Sequence, residues 1–568
     1  MKLSSICTLS LAAILSATLP AQAPIAAQSP DAAANTSLVR QLDEARQQIA
    51  AQAALLAEFR GELARQAQAI EQLRGQQRPV LTSFSPEDVA HLQQAVLLLR
   101  SPANSAPAAL LGKPAVAGRP AAAQDAALPP ADLFFRIGHA KLTPGGYIDF
   151  TNVYRSTNVG SGVGTNFQSI PFNNTTQGGL SEYRLSSQGS RLSIRFDESI
   201  GKTKAFGFAE ADFYGTLPGN AYVSTNSNTF RMRVYYLNLA RNRWEMLGGQ
   251  GWSLLTPTRK ALSPLVSDLF ITSNIDTGYQ AGLVYARQAQ IRFVYHASPL
   301  ISAGVSIENP EQFAGSAVTF PSLFSNTELD INSSSGSGGA TATPNLHPDI
   351  VAKLTFDKTV AGRFWHAGVA GLLTSTRIVT PASVTKTVAA KDSREGAGVI
   401  GNLNLELFHG FRLISTSYWS DGGARYMGGM GPGAVVLQNG TATSPFSAAL
   451  IHSGSGIGGF EWAVSKRTTV SAFGSAAWFQ RRYGLDPSQK TATYIGYGFP
   501  GSANTNNRII KELSFASTTT LWQNPTFGAL QFMTQSSYVL RAPWYIAPGA
   551  PRDAHTMMEF VNLRYVIP

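Results

Sequence analysis

From Leu133 onward the chain reads in twos. In Arg191-Leu192-Ser193-Ile194-Arg195-Phe196-Asp197, the apolar Leu192, Ile194 and Phe196 fall on one side of an extended strand and the polar residues on the other. Gln290-Ile291-Arg292-Phe293-Val294-Tyr295-His296, Asn402-Leu403-Asn404-Leu405-Glu406-Leu407 and Val561-Asn562-Leu563-Arg564-Tyr565 repeat the pattern. The alternation predicts strands near 145–155, 189–198, 203–213, 230–240, 243–250, 282–297, 301–309, 350–357, 362–373, 398–409, 411–420, 455–465, 467–480, 508–522, 526–540 and 556–567.

Between these strands the connections alternate in length. Long ones cover 156–188, 214–229, 251–281, 310–349, 374–397, 421–454, 481–507 and 541–555, and the others are short turns such as Ser199–Lys202 and Asn524-Pro525. A sandwich gives no reason for that parity, whereas an outer-membrane barrel has long loops on one side and tight turns on the other. The predicted fold is therefore an all-β transmembrane barrel of 16 antiparallel strands. Splitting the stretch 278–297 in two would spoil this count, and eighteen strands is the alternative.

Before residue 133 the period changes. Leu42, Ile49, Leu56, Leu63 and Ile70 recur at intervals of seven, with Leu38, Ala45, Gln52, Phe59, Gln66 and Leu73 in the d positions. A lone helix on a globular core drifts away from a strict seven-residue period. Residues 35–76 are thus expected to form an α-helical coiled coil whose seam is compatible with three strands. Residues 85–100 read as a short helix, with Ser85 as N-cap and Pro86 at its first position. The Ala- and Pro-rich stretch 101–132 reads as an extended linker. Residues 1–23 read as an export signal, with Lys2, an apolar run from Leu9 to Leu19 and the small-x-small site Ala21-Gln22-Ala23. After that run no stretch approaches the roughly 20 apolar residues a membrane helix needs, so insertion into lipid must use a closed barrel.

Composition narrows the chemistry. Charged residues make up 14% of the chain, against about 25% in soluble globular proteins. The single cysteine is Cys7, which excludes disulfides, thiolate metal sites and cysteine nucleophiles from the barrel. The eight histidines show no metal-ligand spacing and no Gly-x-Ser-x-Gly occurs, so no cofactor is expected and an enzyme is the least favoured class. The net charge is +11, while residues 24–132 hold nine basic and ten acidic side chains, so the excess lies in the barrel. No basic run or nucleic-acid motif accompanies it. Lipopolysaccharide contact or plain solubility is expected to explain part of such an excess, and an anion-attracting lumen is the sharper reading. Arg191, Arg195, Arg231, Arg233 and Arg292 are the candidate wall residues, with Lys353 and Arg564 as further inward cations and Glu210, Asp212 and Glu461 as inward acids.

The connection 251–281 is unusually apolar for a surface loop, with Trp252, Leu254, Leu255, Leu262, Leu265, Val266, Leu269, Phe270 and Ile271. Exposed, it would be a liability. Folded into the lumen it buries that side and presents Arg259 and Lys260 to the pore; packing at a subunit contact is the alternative.

Gly248-Gly249-Gln250-Gly251-Trp252-Ser253, just before this connection, resembles the Gly-Gln-x-Trp-Ser stretch of DcaP-like outer-membrane porins. Glu210-Ala211-Asp212-Phe213-Tyr214-Gly215 and Ile307-Glu308-Asn309-Pro310-Glu311 are similar to other stretches of that family, and the order of signal, coiled coil, linker and barrel matches. The resemblance implies a homotrimer in the bacterial outer membrane with its N-terminal arm in the periplasm. It also implies a loop that constricts the pore after the fifth strand, and passive uptake of small anions such as dicarboxylates. The chain departs from the usual aromatic last residue of such barrels, ending Tyr565-Val566-Ile567-Pro568, so Tyr565 would have to serve as the assembly signal from three places upstream.

A structural tether is the competing function, with the arm gripping peptidoglycan and the barrel passive. Deleting residues 24–130 and measuring oligomer mass separates the roles of the arm: loss of the trimer is expected if the coiled coil clamps it, and an unchanged trimer rules the clamp out.

Overall fold

The computed structural model describes residues 134–215, 228–310, 317–322, 345–380, 390–438 and 446–568. The expected signal, coiled coil, short helix and linker lie outside them. The strands are β1 Ala140–Arg155, β2 Glu182–Ser186 continuing as Arg191–Ile200, β3 Thr203–Asp212, β4 Arg231–Arg241, β5 Trp244–Trp252, β6 Arg287–His296, β7 Ile301–Glu308 and β8 Asp349–Val360. They continue as β9 Arg363–Thr380, β10 Ala390–Phe408, β11 Phe411–Asp421, β12 His452–Ala463, β13 Thr468–Phe479, β14 Asn507–Asn524, β15 Gly528–Pro543 and β16 Ala554–Val566. Each pairs antiparallel with its neighbours, and β16 closes on β1 with Tyr147 opposite Val566 and Arg155 opposite Met558. Closure leaves no unpaired edge, which hydrocarbon does not tolerate.

The wall is thus a closed 16-stranded antiparallel barrel. Both halves of β2 pair with β1, Glu182–Ser186 high on it and Arg191–Ile200 low, so residues 187–190 are an interruption in one strand. The short strand Phe135–Ile137 folds back on the foot of β1. The stretch 278–297 does not split into two strands; it holds the single strand β6, and its first part belongs to the loop. The closed wall of sixteen strands also excludes the eighteen-strand alternative.

Burial follows the alternation with the sign reversed from a soluble protein. Leu192, Ile194, Ile291, Phe293, Leu354, Phe356, Leu403, Leu513 and Phe515 are exposed on the outside, while Arg191, Arg292, Lys353, Asn402, Glu512 and Ser514 are buried inside. Water would penalise such a surface and lipid does not. Exposed Trp244, Trp365, Trp462 and Trp522 lie toward the short-turn end, and Trp419, Trp478 and Tyr538 toward the other. Those are the levels at which an amphipathic ring meets a membrane interface. At the turn between β8 and β9, Ala361 and Gly362 both take positive φ, 49° and 74°, the twist a two-residue hairpin requires.

β9 and β10 hold 18 and 19 residues, well beyond the roughly 9–11 that cross a bilayer. Their paired ends, Thr374–Thr380 against Ala390–Gly396, therefore stand above the membrane on the long-loop side. The sequence assigns that extension to a loop, because alternation there no longer separates apolar from polar. Two small hairpins also occur inside long connections, Ala434–Gln438 with Phe446–Leu450 and Arg482–Leu485 with Tyr494–Tyr497.

The reversed burial predicts an asymmetric response to charge. Leu354→Arg, on the outward face midway along β8, is expected to cost about 2–4 kcal/mol in a urea titration of the lipid-embedded barrel. Arg introduced at an outward position outside the apolar belt should cost little.

Candidate functional site: a lumen crossed by one loop

The loop begins where β5 ends. Gly249 has φ +132°, and a Cβ there would sit 2.5 Å from the carbonyl oxygen of Tyr235. Only glycine lets the strand turn inward at that point. From Ser253 the chain runs inside the barrel and meets the wall strands nearly in chain order. Leu254 N donates to Glu308 on β7 at 2.9 Å, and Lys353 on β8 donates to the carbonyl of Thr256 at 2.6 Å. Asn402 on β10 donates to the carbonyl of Thr258 at 2.8 Å. Arg259 forms a two-pronged ion pair with Glu461 on β12, both contacts at 2.6 Å. Ser273 meets Ser471 on β13 at 2.5 Å, and Gln535 on β15 accepts from the backbone of Ile275 and Asp276 at 2.5 and 2.9 Å. Glu512 on β14 accepts from Ala281 N at 2.8 Å.

The apolar side of the loop is buried as expected. Trp252, Val266, Leu269, Phe270 and Ile271 pack with inward Ile414, Ile457 and Phe473 of β11–β13, giving the lumen a hydrophobic core of its own. Each such side chain taken from water contributes about 1.5–3 kcal/mol, and the wall hydrogen bonds fix where that core sits.

Asp357, His366 and Thr258 stand in the order of an acid–base relay, with Oδ1 2.7 Å from Nδ1 and Nε2 3.0 Å from Oγ1. Thr258 is 3% exposed, and a nucleophile needs room for its substrate. The contact acts as a tether that ties the loop to β8 and β9.

The cationic cluster lies on the opposite wall. Arg233 contacts Glu210 at 2.5 Å and Asp212 at 2.7 Å, Arg231 pairs with Asp212 at 2.7 Å, and Arg191 approaches Glu210 at 3.5 Å. Tyr279, from the returning arm of the loop, has φ +60° and accepts hydrogen bonds from Arg191 and Arg233 at 3.4 and 3.3 Å. Arg287 joins this group at the start of β6. It stacks over Trp252 at 5.6 Å, Arg233 stacks over the same ring at 5.8 Å, and Nη1 of Arg287 is buried without a hydrogen-bond partner among the described residues. Four guanidinium groups thus face two carboxylates here, and burial strengthens the unbalanced field.

The other sequence-selected residues fall elsewhere. Arg195 pairs with Asp197 at 2.8 Å and lines a cavity of about 470 Å³ beneath the loop at the short-turn end, facing Glu245, His296, Ser263 and Pro264. Arg292 is buried under the loop and donates to the carbonyl of Trp252 at 2.5 Å. Lys353 holds Thr256 as above, and Arg564 pairs with Asp149 at 2.8 Å. The sequence expects Arg259 to face pore water with Lys260. The structure places Arg259 against Glu461 and leaves Lys260 exposed, because a carboxylate buried on β12 needs a cation and the loop passes within reach. Sequence reasoning misses Arg287 because it falls on the outward phase of its strand; it turns in where β6 leaves the loop.

The sequence matches no protein-family description and no curated protein. The fold does match solved structures. The outer membrane channel DcaP of Acinetobacter baumannii aligns over 76% of this chain and 99% of its own, with a TM-score of 0.51 and 15% identity. The anion-selective porin of Comamonas acidovorans aligns over 75% and 100%, with a TM-score of 0.42 and 13% identity. OmpT, an outer membrane protein of Vibrio cholerae, aligns over 76% and 99%, with a TM-score of 0.39 and 9% identity. The DcaP likeness is one of fold: a barrel of the porin type.

The tether at β12 yields a prediction. Glu461→Gln leaves Arg259 buried beside a neutral amide and is expected to destabilise the docked loop by about 3–5 kcal/mol. Limited proteolysis within 253–286 should then outrun that of the unmodified chain, while heat-modifiable mobility in SDS gels, which reports the wall, stays unchanged.

Proposed function

We propose that this chain is an outer-membrane porin of the DcaP-like kind that gives small anionic solutes passive passage through a loop-narrowed lumen. The observation that carries the reading is the charge imbalance at the crossing loop: Arg191, Arg231, Arg233 and Arg287 against Glu210 and Asp212. A fixed positive field in a low-dielectric passage lowers the barrier for an anion and raises it for a cation. The outward apolar belt and its two levels of aromatic rings support a place in the membrane. The alternation of short turns with long loops supports the usual outer-membrane orientation, short turns toward the periplasm.

The remaining parts of the proposal rest on sequence. The heptad seam at 35–76, compatible with three strands, supports a homotrimer, and the DcaP-like resemblance implies the same together with a periplasmic arm within reach of peptidoglycan. Lipopolysaccharide is the expected neighbour of the long-loop rim. Dicarboxylate-like solutes suit a cluster with two guanidinium groups in excess.

Single-channel recording with a KCl gradient tests this reading. The reversal potential is expected to report chloride preference, and cation preference would refute it. Arg287→Ala removes a guanidinium that holds no carboxylate among the described residues, so the barrel should fold as before while chloride preference falls by about half to one order of magnitude. Arg564→Ala, which breaks the buried pair with Asp149, should act mainly on stability.

A further inference from the structure

A second connection also enters the barrel. Residues 422–451 join β11 to β12, and their first turn carries Arg425 and Tyr426 down to the wall. Arg425 forms an ion pair with Asp349 on β8, and Tyr426 donates to the same carboxylate at 2.8 Å. Asp349 is fully buried, and Tyr426 also reaches the buried Glu308 at 3.5 Å, the carboxylate that holds Leu254 of the crossing loop. The backbone of Tyr285 donates to the carbonyl of Tyr426 at 2.8 Å. The two inward segments therefore share one acidic anchor on β7 and β8 and are bonded directly to each other.

Beyond this clamp the hairpin Ala434–Gln438/Phe446–Leu450 lies against the upper inner faces of β9 and β10. Ala448 N donates to Asp392 at 2.9 Å, and Arg394 reaches the carbonyl of Ala448 at 3.4 Å. Val435, Val436, Phe446 and Ile451 are at most 1% exposed. They belong to one hydrophobic cluster with Phe167, Ile170 and Phe172 of the β1–β2 connection, Leu254 and Leu255 of the crossing loop, and Phe479 and Tyr497. Gly431 packs so closely on the ring of Phe479 that a Cβ there would stand 2.4 Å from it. The inward positions of the wall beneath are covered: Ser420 and Ser453 have no exposure, and Thr374 has 4%. Polar wall groups of an open lumen would be wet. Here an apolar hairpin covers them.

We propose that the described parts of this connection, 422–438 and 446–451, are a second constriction, stacked on the long-loop side of the first. Arg425 is its positioning residue. These residues occupy the outer half of the lumen along β8–β13 and confine solute to the sector of β2–β6, where Arg231 and Arg287 stand. The constriction is a size filter, separate from the charge filter of the arginine cluster, and it rests on the channel reading above.

Two measurements test it. In the first, residues 434–450 are replaced by a short Gly-Ser link and single-channel conductance is recorded. Conductance is expected to rise about two- to threefold with chloride preference retained, because the arginine cluster is untouched. Equal conductance in the two chains overturns the second constriction and leaves the channel reading standing. Silence of both chains overturns the channel reading, and this proposal with it.

The second measurement reads seating directly and does not depend on conduction. The barrel has no cysteine, the one in the chain being Cys7, so Val436→Cys introduces a unique thiol there. In the otherwise unmodified chain it should resist a membrane-impermeant maleimide, and adding Arg425→Ala should make it react at least tenfold faster, about the effect of losing one buried ion-pair partner. Rapid labelling with Arg425 intact overturns the proposal, as does equal labelling with and without it.

Discussion

A polypeptide in hydrocarbon must satisfy every backbone N–H and C=O from within, and the pairing of β16 with β1 is where this chain meets that demand. Closure fixes everything that follows. It turns one face of each strand to lipid and the other to an interior too wide for sixteen strands of side chains to fill unaided. The interior must then be either wet or packed. In this barrel it is packed along one side by connections that fold inward, and the polar wall residues serve as their anchors.

Those anchors explain why so many ionisable groups are buried without apparent strain. A carboxylate taken from water costs several kcal/mol unless a cation and hydrogen bonds replace the solvent. Asp149 has Arg564, Glu461 has Arg259, and Asp349 has Arg425. Where the partners are backbone amides, as for Glu308 with Leu254 and Glu512 with Ala281, the acid holds a loop in place. The cluster of Arg191, Arg231, Arg233 and Arg287 departs from this balance. An excess of one sign gathered in one cluster is an expensive arrangement, and a role in attracting the opposite sign is what would maintain it.

The barrel was legible in the sequence because a strand facing lipid on one side and polar contacts on the other leaves a period of two that loops do not imitate. All sixteen wall strands lie near their expected places. The N-terminal arm is written as plainly in its heptads, but its residues fall outside the described structure. What the sequence did not disclose depends on which strands become neighbours. Arg231 and Asp212 are joined by strand register, and Arg259 and Glu461 lie 202 positions apart. Both cations looked like free pore charges until the pairing was known. Arg287 escaped notice for the opposite reason, since strict alternation put it on the lipid side. The upper ends of β9 and β10, and the hairpin at 434–450, stand above the apolar belt, where no contrast between two solvents marks the strand.

The itinerary of the crossing loop also constrains how the molecule is assembled. Between Leu254 and Ala281 most of its wall partners lie on strands β7 to β15, which follow it in the chain, while Tyr279 also meets Arg191 and Arg233 of β2 and β4. While the later strands are unpaired, the segment lacks most of its anchors. Contacts so distant in sequence are slow to close, because the entropy of the intervening chain must be surrendered first. The loop therefore completes its seating only once β15, which carries Gln535, is in place. Phe270 likewise lacks its full packing until β11–β13, which carry Ile414, Ile457 and Phe473, have formed.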